Sequence, residues 1–169
     1  LERVKAACTT GPGSVHVLPF DIVDPPQRER AAREVLGKFR RLDVLVNNAG
    51  IGQRSAAIET ALDVDRQIME VDFFAPLALT KLVLPRMIEQ GGGHLVVTSS
   101  VAGKHAVPHH SAYCAAKHAL HGYFDTLRVD LAPADQKRVR AAAEAKRIDL
   151  RVHGDGVGVS LDETTTERD

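Results

Sequence analysis

Residues 43–50 read DVLVNNAG, a short apolar run that two asparagines and a glycine close. A run this short cannot form a helix on its own, so it predicts a buried strand that ends at the asparagines. Residues 94–98 (HLVVT) repeat the pattern after three glycines, and residues 15–20 (VHVLPF) form another strand-like run. Such near-continuous apolar runs are typical of parallel strands, because these strands are buried on both faces.

Helical patterns separate the predicted strands. The first spans about 24–40, where Asp24 is a suitable N-cap and prolines occupy the first turn. The second spans 63–90, where Pro76 predicts a kink, and the third spans 112–131. Alternating strands and helices indicate βαβ units. We therefore predict an α/β fold, a doubly wound parallel sheet covered by helices on both faces.

The composition excludes several classes of protein. The 169 residues contain 22 Lys+Arg and 22 Asp+Glu, and this zero net charge argues against nucleic-acid partners. No apolar run is long enough to span a bilayer, and no secretory signal peptide opens the chain. Cys8 and Cys114 lie too far apart for a disulfide framework, and no Cys or carboxylate completes a ligand set around the histidines. We expect an intracellular protein without a metal site.

Polar residues follow the predicted strands, at the sheet edge where ligands of open parallel sheets bind. Asp21, Asn47 and Ser100 occupy these strand ends. Tyr113 and Lys117 follow on a predicted helix, four residues apart and therefore on one face. A nearby cation favours the ionised phenolate, which suits a tyrosine for general acid–base work. The Ser100 hydroxyl, thirteen residues before Tyr113, can hold a substrate carbonyl oxygen.

Each of these candidates also has a purely structural interpretation. A Tyr–Lys pair at this spacing occurs on many helices. The asparagines can form a turn, the serines can cap the strand end, and the aspartate can be an ordinary loop residue. These interpretations apply to Asn47, Asn48, Ser99, Ser100 and Asp21.

The order and spacing of the motifs resemble the classical short-chain dehydrogenase/reductase (SDR) family. The matching motifs are Asp21, NNAG at 47–50, Ser100 and the pair Tyr113 and Lys117. The resemblance covers about residues 1–133. We therefore predict a partial Rossmann-like domain over 1–133 and a divergent, partly disordered segment over 134–169.

The resemblance implies an oxidoreductase that exchanges a hydride between NAD or NADP and an alcohol or carbonyl substrate. It implies that Tyr113 is the catalytic acid or base and that Ser100 orients and polarises the carbonyl. It also implies that Lys117 binds the nicotinamide ribose beside Tyr113, and that Asp21 meets the adenine ring. The residues that the resemblance assigns to the wall of the cofactor site are Asn47, Asn48, Ala49 and Gly50.

Three features depart from the family's pattern. The family opens with strands and a glycine-rich turn that binds pyrophosphate at a helix N-terminus, whereas this chain begins at Leu1, after that point. Asp72 stands where the family has an asparagine that holds a water for proton relay to the lysine. If Asp72 is buried near Lys117, its charge must be paired or neutralised. The family's later Pro-Gly turn is replaced by Gly-Asp-Gly at 154–156.

These departures leave two functional hypotheses open. One is a working enzyme, and the other is a catalytically impaired isoform or pseudoenzyme that acts through dimerisation. In the family, helices equivalent to 63–90 and 112–131 form the dimer interface, so the resemblance implies a homo-oligomer. The sequences of 71–85 and 111–128 resemble those of family members that act on lipophilic carbonyls such as steroids or retinoids. For a full-length parent, this resemblance implies membrane association, with the endoplasmic reticulum as an alternative to the cytoplasm.

Overall fold

The computed structural model of the chain describes residue 5, residues 13–131, and residues 151–153 and 156–158. The elements in these residues are α1 (Pro25–Phe39), β1 (Val44–Asn47), α2 (Leu62–Met69), a π-helical turn (Glu70–Phe74), α3 (Ala75–Glu89), β2 (His94–Val97), a 3-10 turn (Val101–Gly103), α4 (Ser111–Leu131), β3 (Arg151–His153) and β4 (Gly156–Gly158). The chain divides into two compact units, residues 1–117 and 118–169.

Strands β1 and β2 pair in parallel, with Val44 opposite His94 and Asn47 opposite Val97. The pairing continues past the strand ends, where the Thr98 N–H donates to the Asn47 carbonyl at 2.9 Å. Both strands therefore end at the same edge, and the residues that follow them are neighbours. The predicted α/β class with a parallel sheet is confirmed.

The run at 15–20 does not form the predicted strand, because residues 14–20 belong to no ladder. A strand exists only where a neighbouring strand accepts and donates its backbone hydrogen bonds. In the described part of the chain the parallel sheet consists of β1 and β2 alone, and neither pairs with this run. The apolar pattern of 15–20 therefore predicted a strand, but no described strand pairs with these residues.

Helices cover one face of the β1–β2 pair. Leu45 and Leu95 pack on a buried cluster that α1 and α3 contribute, whose members are Ala32, Val83 and Met87. Successive side chains of a strand point to opposite faces. The residues that remain 45–56% exposed on the other face are Val44, Val46 and Val96. Within the described residues, the helices of this cluster therefore cover one face of the β1–β2 pair.

Helix α1 begins and ends as its sequence predicts. The Asp24 side chain accepts a hydrogen bond from the Gln27 N–H at 3.3 Å, so Asp24 is the N-cap. The helix ends at Arg40, which adopts a left-handed conformation with φ of 60° and donates its N–H to the Leu36 carbonyl. This helix and α3 together support the covered face of the sheet.

The long helix predicted over 63–90 is interrupted by the π-helical turn at Glu70–Phe74. The Ala75 N–H bonds to the Glu70 carbonyl, five residues back, and Pro76 follows without an N–H to donate. A π-turn adds a residue to one helical turn and is frequent at functional sites. Here the turn contains Asp72, which is fully buried.

The second unit contains the end of α4 and a two-stranded antiparallel sheet of β3 and β4, with Val152 opposite Val157. Of the Gly-Asp-Gly turn predicted at 154–156, Gly156 is the first residue of β4, and 154 and 155 lie outside the described residues. Most of the divergent segment over 134–169 lies outside them too, so the boundary predicted at 133 stays a prediction. Among the described helices, none combines the length and apolarity needed to cross a membrane.

Candidate active site

An open cleft of about 590 Å³ lies beyond the carboxyl ends of β1 and β2. Of the residues predicted from sequence, those that line it are Asn48, Gly50, Tyr113 and Lys117. This is the edge at which open α/β sheets bind ligands, because loops and helix starts converge there. The first turn of α4 and the loop after β1 form two walls of the cleft.

Tyr113 is half-buried on the first turn of α4, and packing fixes its ring. The ring contacts a buried cluster whose members are Ile68, Ala112 and Ala116. The backbone of Gly52 lies beside the ring, since a Cβ built at that glycine would be 3.7 Å from the Tyr113 ring carbon Cδ2. Among the described residues, no hydrogen-bond partner occupies the phenol oxygen. The hydroxyl is therefore available to a ligand in the cleft.

Lys117 lies one helical turn after Tyr113, and the residue is only 4% exposed. Its ammonium is 5.4 Å from the centroid of the Tyr113 ring, which confirms that the two side chains share a helix face. The Nζ donates to the Thr98 carbonyl at 3.1 Å and lies 3.2 Å from Asp72 Oδ2. Because an ammonium has three donors, these contacts leave one N–H for the cleft.

Asp72 is fully buried, and its carboxylate joins two parts of the site. Oδ1 accepts the Ile51 N–H at 2.7 Å, while Oδ2 faces the Lys117 ammonium without a well-aligned hydrogen bond. Gly50 permits this approach, since a Cβ there would lie 3.0 Å from Oδ2. The ion pair is the pairing that a buried carboxylate requires.

The two asparagines of the NNAG motif have different surroundings. Asn47 is buried, and its Nδ2 donates to Thr80 Oγ1 at 3.0 Å, which anchors the end of β1 to α3. Asn48 lines the cleft, and its Oδ1 accepts from Thr98 Oγ1 at 2.9 Å. Asn47 therefore ties the sheet to α3, whereas Asn48 faces the cleft. Ala49 is exposed between them and Gly50.

Ser100 and Asp21 are placed outside the cleft lining. The Ser100 hydroxyl accepts from the Ala102 N–H at 3.2 Å and caps the 3-10 turn, while Ser99 lines the cleft. The exposed Asp21 accepts from the Val23 N–H at 3.0 Å in a tight turn before α1. Their roles towards substrate and adenine stay predictions.

Gln53 is a cleft residue that the sequence patterns did not indicate. Its side-chain amide lies against the first turn of α4 and hydrogen-bonds there. No signal in the sequence indicated it, because Ser111, a favoured capping residue, directly precedes the helix predicted over 112–131.

Comparisons with known proteins agree with this geometry. The family model of the short chain dehydrogenases matches residues 1–145. Among curated proteins, dehydrogenase/reductase SDR family member 7B of Rattus norvegicus is 44% identical over 136 residues, which are 79% of this chain and 42% of the relative. Dehydrogenase/reductase SDR family member 7 of Homo sapiens is also 44% identical over 136 residues, 78% of this chain and 40% of the relative.

Solved structures give the same result. The F189W actinorhodin polyketide ketoreductase with NADPH superposes with a TM-score of 0.64 at 33% identity, covering 66% of this chain and 43% of that chain. The present chain spans about two fifths of the length of the curated relatives it matches. The parallel sheet, the cleft with its Tyr–Lys pair and these matches agree, and the chain belongs to the short-chain dehydrogenase family of NAD(P)-dependent oxidoreductases.

Proposed function

We propose that this chain carries the catalytic centre of an oxidoreductase that exchanges a hydride between NAD or NADP and an alcohol or carbonyl group. The observation that supports this most strongly is the Tyr113 phenol, which faces the cleft without a partner among the described residues and lies one turn from the buried Lys117 ammonium. A phenol held in this way can give a proton to a carbonyl oxygen or take one from an alcohol.

The described residues fit a nicotinamide cofactor. Gly50 and Gly52 carry no side chain that would fill the cleft. The Lys117 ammonium contacts Thr98 and Asp72, which leaves it an N–H for a ligand. In the part of the chain that the structure describes, no carboxylate lines the cleft, whereas Arg54 and Lys117 do. This positive lining suits a nucleotide that carries phosphates. When bound, the nicotinamide would donate or accept the hydride.

In the proposed reaction, the chain positions the substrate and moves one proton. Tyr113 transfers its phenolic proton to the substrate oxygen in reduction, and receives it back in oxidation. Lys117, whose ammonium lies 5.4 Å from the centroid of the Tyr113 ring, holds the cofactor ribose. Ser100 orients the carbonyl oxygen in this proposal by donating its hydroxyl proton, which the bond that Oγ accepts from the Ala102 N–H leaves available.

Asp72 completes the proposed centre in place of the family's asparagine. Its carboxylate holds Lys117 directly, at 3.2 Å, and the Ile51 N–H holds the carboxylate. The direct ion pair helps to fix the position of the ammonium. We therefore expect Asp72 to keep Lys117 oriented towards the cofactor.

The substrate that we propose is a lipophilic ketone, aldehyde or alcohol such as a steroid or retinoid. The support is the resemblance of residues 71–85 and 111–128 to family members of that branch. Turnover of a steroid ketone and of retinal, compared with a short polar ketone, tests this proposal. The proposal fails if only the polar ketone reacts.

The whole protein is proposed to be an intracellular homo-oligomer, in the cytoplasm or at the endoplasmic reticulum, and the full-length parent to be membrane-associated. The long helical stretch predicted as an interface exposes apolar side chains, with Phe74 47% and Leu82 36% exposed. A second copy that covers them would remove this apolar area from water. Light scattering of the purified chain would show a dimer mass, and a monomer at all concentrations would contradict the proposal.

Replacement of Tyr113 tests the catalytic role. Tyr113→Phe keeps the packed ring and removes the hydroxyl, so we expect turnover to fall by about 10²–10⁴-fold, the usual contribution of acid–base catalysis. NADPH and NADH binding, followed by fluorescence titration, should persist. Tyr123→Phe is the matched control and should retain turnover. A folded chain that binds neither cofactor, or a Tyr113→Phe variant with full turnover, would contradict the proposal.

A further inference from the structure

The helix that carries Tyr113 and Lys117 begins without a local cap. Its first internal bond runs from the Cys114 N–H to the His110 carbonyl at 2.8 Å, so the N–H groups of the first turn need acceptors from outside the helix. The His110 ring cannot supply one, because its Nδ1 lies 2.7 Å from the Pro108 carbonyl. The start of α4 therefore depends on another segment.

Gln53 supplies the acceptor from 58 residues earlier in the chain. The Gln53 amide has two possible orientations. In the one that gives both its oxygen and its nitrogen suitable partners, the oxygen accepts from the Ser111 N–H at 3.1 Å and the Ala112 N–H at 3.0 Å. In the opposite orientation, the oxygen accepts from the Tyr113 N–H at 3.3 Å and the nitrogen donates to Ser111 Oγ at 3.2 Å. In both orientations the amide binds the first turn of α4.

The loop that carries Gln53 is held on both sides of that residue. The Ile51 N–H donates to Asp72 Oδ1 at 2.7 Å, and the Ser55 N–H donates to the His109 carbonyl at 3.1 Å. The loop therefore connects the end of β1, the π-helical turn and the start of α4. A shift of this loop would move the two walls of the cleft relative to each other.

We propose that Gln53 is a positioning residue for the reaction, because its amide caps α4 and sets the position of Tyr113 in the cleft. The inference rests on the proposed function. Gln53 acts through the helix rather than on reacting atoms. Its amide oxygen is the essential group, since the first-turn N–H groups need an acceptor and the positive end of a helix dipole favours negative charge.

Three substitutions separate the possible roles. Gln53→Ala removes the acceptor. Gln53→Glu keeps an acceptor oxygen on a side chain of the same length and adds a negative charge that the helix N-terminus favours. Gln67→Ala is the matched control, since Gln67 is exposed on α2 and has no side-chain contact among the described residues.

Amide hydrogen exchange of residues 111–113 measures the cap directly. We expect about fivefold faster exchange in Gln53→Ala, in keeping with the loss of a typical N-cap. Gln53→Glu and Gln67→Ala should exchange at the rate of the unmodified chain. Unchanged exchange in Gln53→Ala would overturn the cap and the proposal with it.

Steady-state kinetics then test positioning. We expect Gln53→Ala to lower kcat at least about tenfold with unchanged NADPH affinity, because small misplacement of a catalytic group is costly. Gln53→Glu places a carboxylate in the cleft, so its kcat is measured at saturating NADPH, where it should return to the unmodified value. Full turnover in Gln53→Ala would overturn the positioning role. A Gln53→Glu variant with slow exchange but without kcat at saturating NADPH would overturn it too, since Gln53 would then contact substrate. An unmodified chain without turnover would refute the proposed function, while exchange would still decide the cap.

Discussion

Removal of the Asp72 carboxylate should destabilise the chain strongly, because it leaves Lys117 as a buried charge without its counterion. Asp72 is 0% exposed and Lys117 4%, and their charged atoms lie 3.2 Å apart. Breaking a buried ion pair by deleting one partner typically costs about 3–5 kcal/mol. We expect Asp72→Ala to lose a free energy of unfolding in this range, since the Ile51 N–H also loses its acceptor.

Asp72→Asn separates the charge from the hydrogen bond. Its amide oxygen can still accept the Ile51 N–H, and Lys117 retains the Thr98 carbonyl at 3.1 Å. The asparagine variant should therefore lose less stability than the alanine variant. Because replacing both members of a buried pair is often close to neutral, Asp72→Asn combined with Lys117→Met should be more stable than either single variant.

Urea unfolding followed by circular dichroism measures these differences, with the free energy obtained by linear extrapolation. Asp63→Ala is the matched control, because Asp63 forms an ion pair with Arg66 at the surface and its side chain is 93% exposed. That variant should change stability by less than about 1 kcal/mol. An Asp72→Ala variant as stable as the Asp63→Ala control would refute the reasoning, since the carboxylate could not then be holding a buried charge.

Two further substitutions test the walls of the site. Gly50→Ala places a methyl group 3.0 Å from Asp72 Oδ2 and 3.5 Å from Lys117 Nζ, so calorimetry should show a loss of about 1–3 kcal/mol, as overpacking usually gives. A melting temperature equal to that of the unmodified chain would contradict this, because Asp72 and Lys117 would then move aside without a loss of stability. Thr80→Val leaves the buried Asn47 amide without its acceptor, which should cost about 1–3 kcal/mol in urea unfolding. Thr126→Val is the control. Like Thr80, Thr126 donates its hydroxyl to the carbonyl four residues back, at 2.8 Å, but it lies on an exposed helix face. Equal losses of stability in the two variants would exclude a special role for the Asn47 bond.

Local patterns determined the elements of this protein and its family. Asp24 and the prolines after it predicted the start of α1 to within a residue, because capping depends on neighbours in sequence. The apolar runs predicted β1 and β2. The spacing of Tyr113 and Lys117 placed them on one face, because helical periodicity is a local property.

The tertiary structure decided which distant groups meet. The pairing of Asp72 with Lys117 and the cap that Gln53 provides for α4 join segments far apart in sequence, and no local pattern encodes such contacts. It also decided that Ser99 rather than Ser100 lines the cleft, and that the run at 15–20 stays unpaired. Strand pairing, burial and ion pairing depend on the surfaces that other segments present. The sequence by itself therefore determined the family and the shared helix face of Tyr113 and Lys117, while packing between segments determined how those side chains are held.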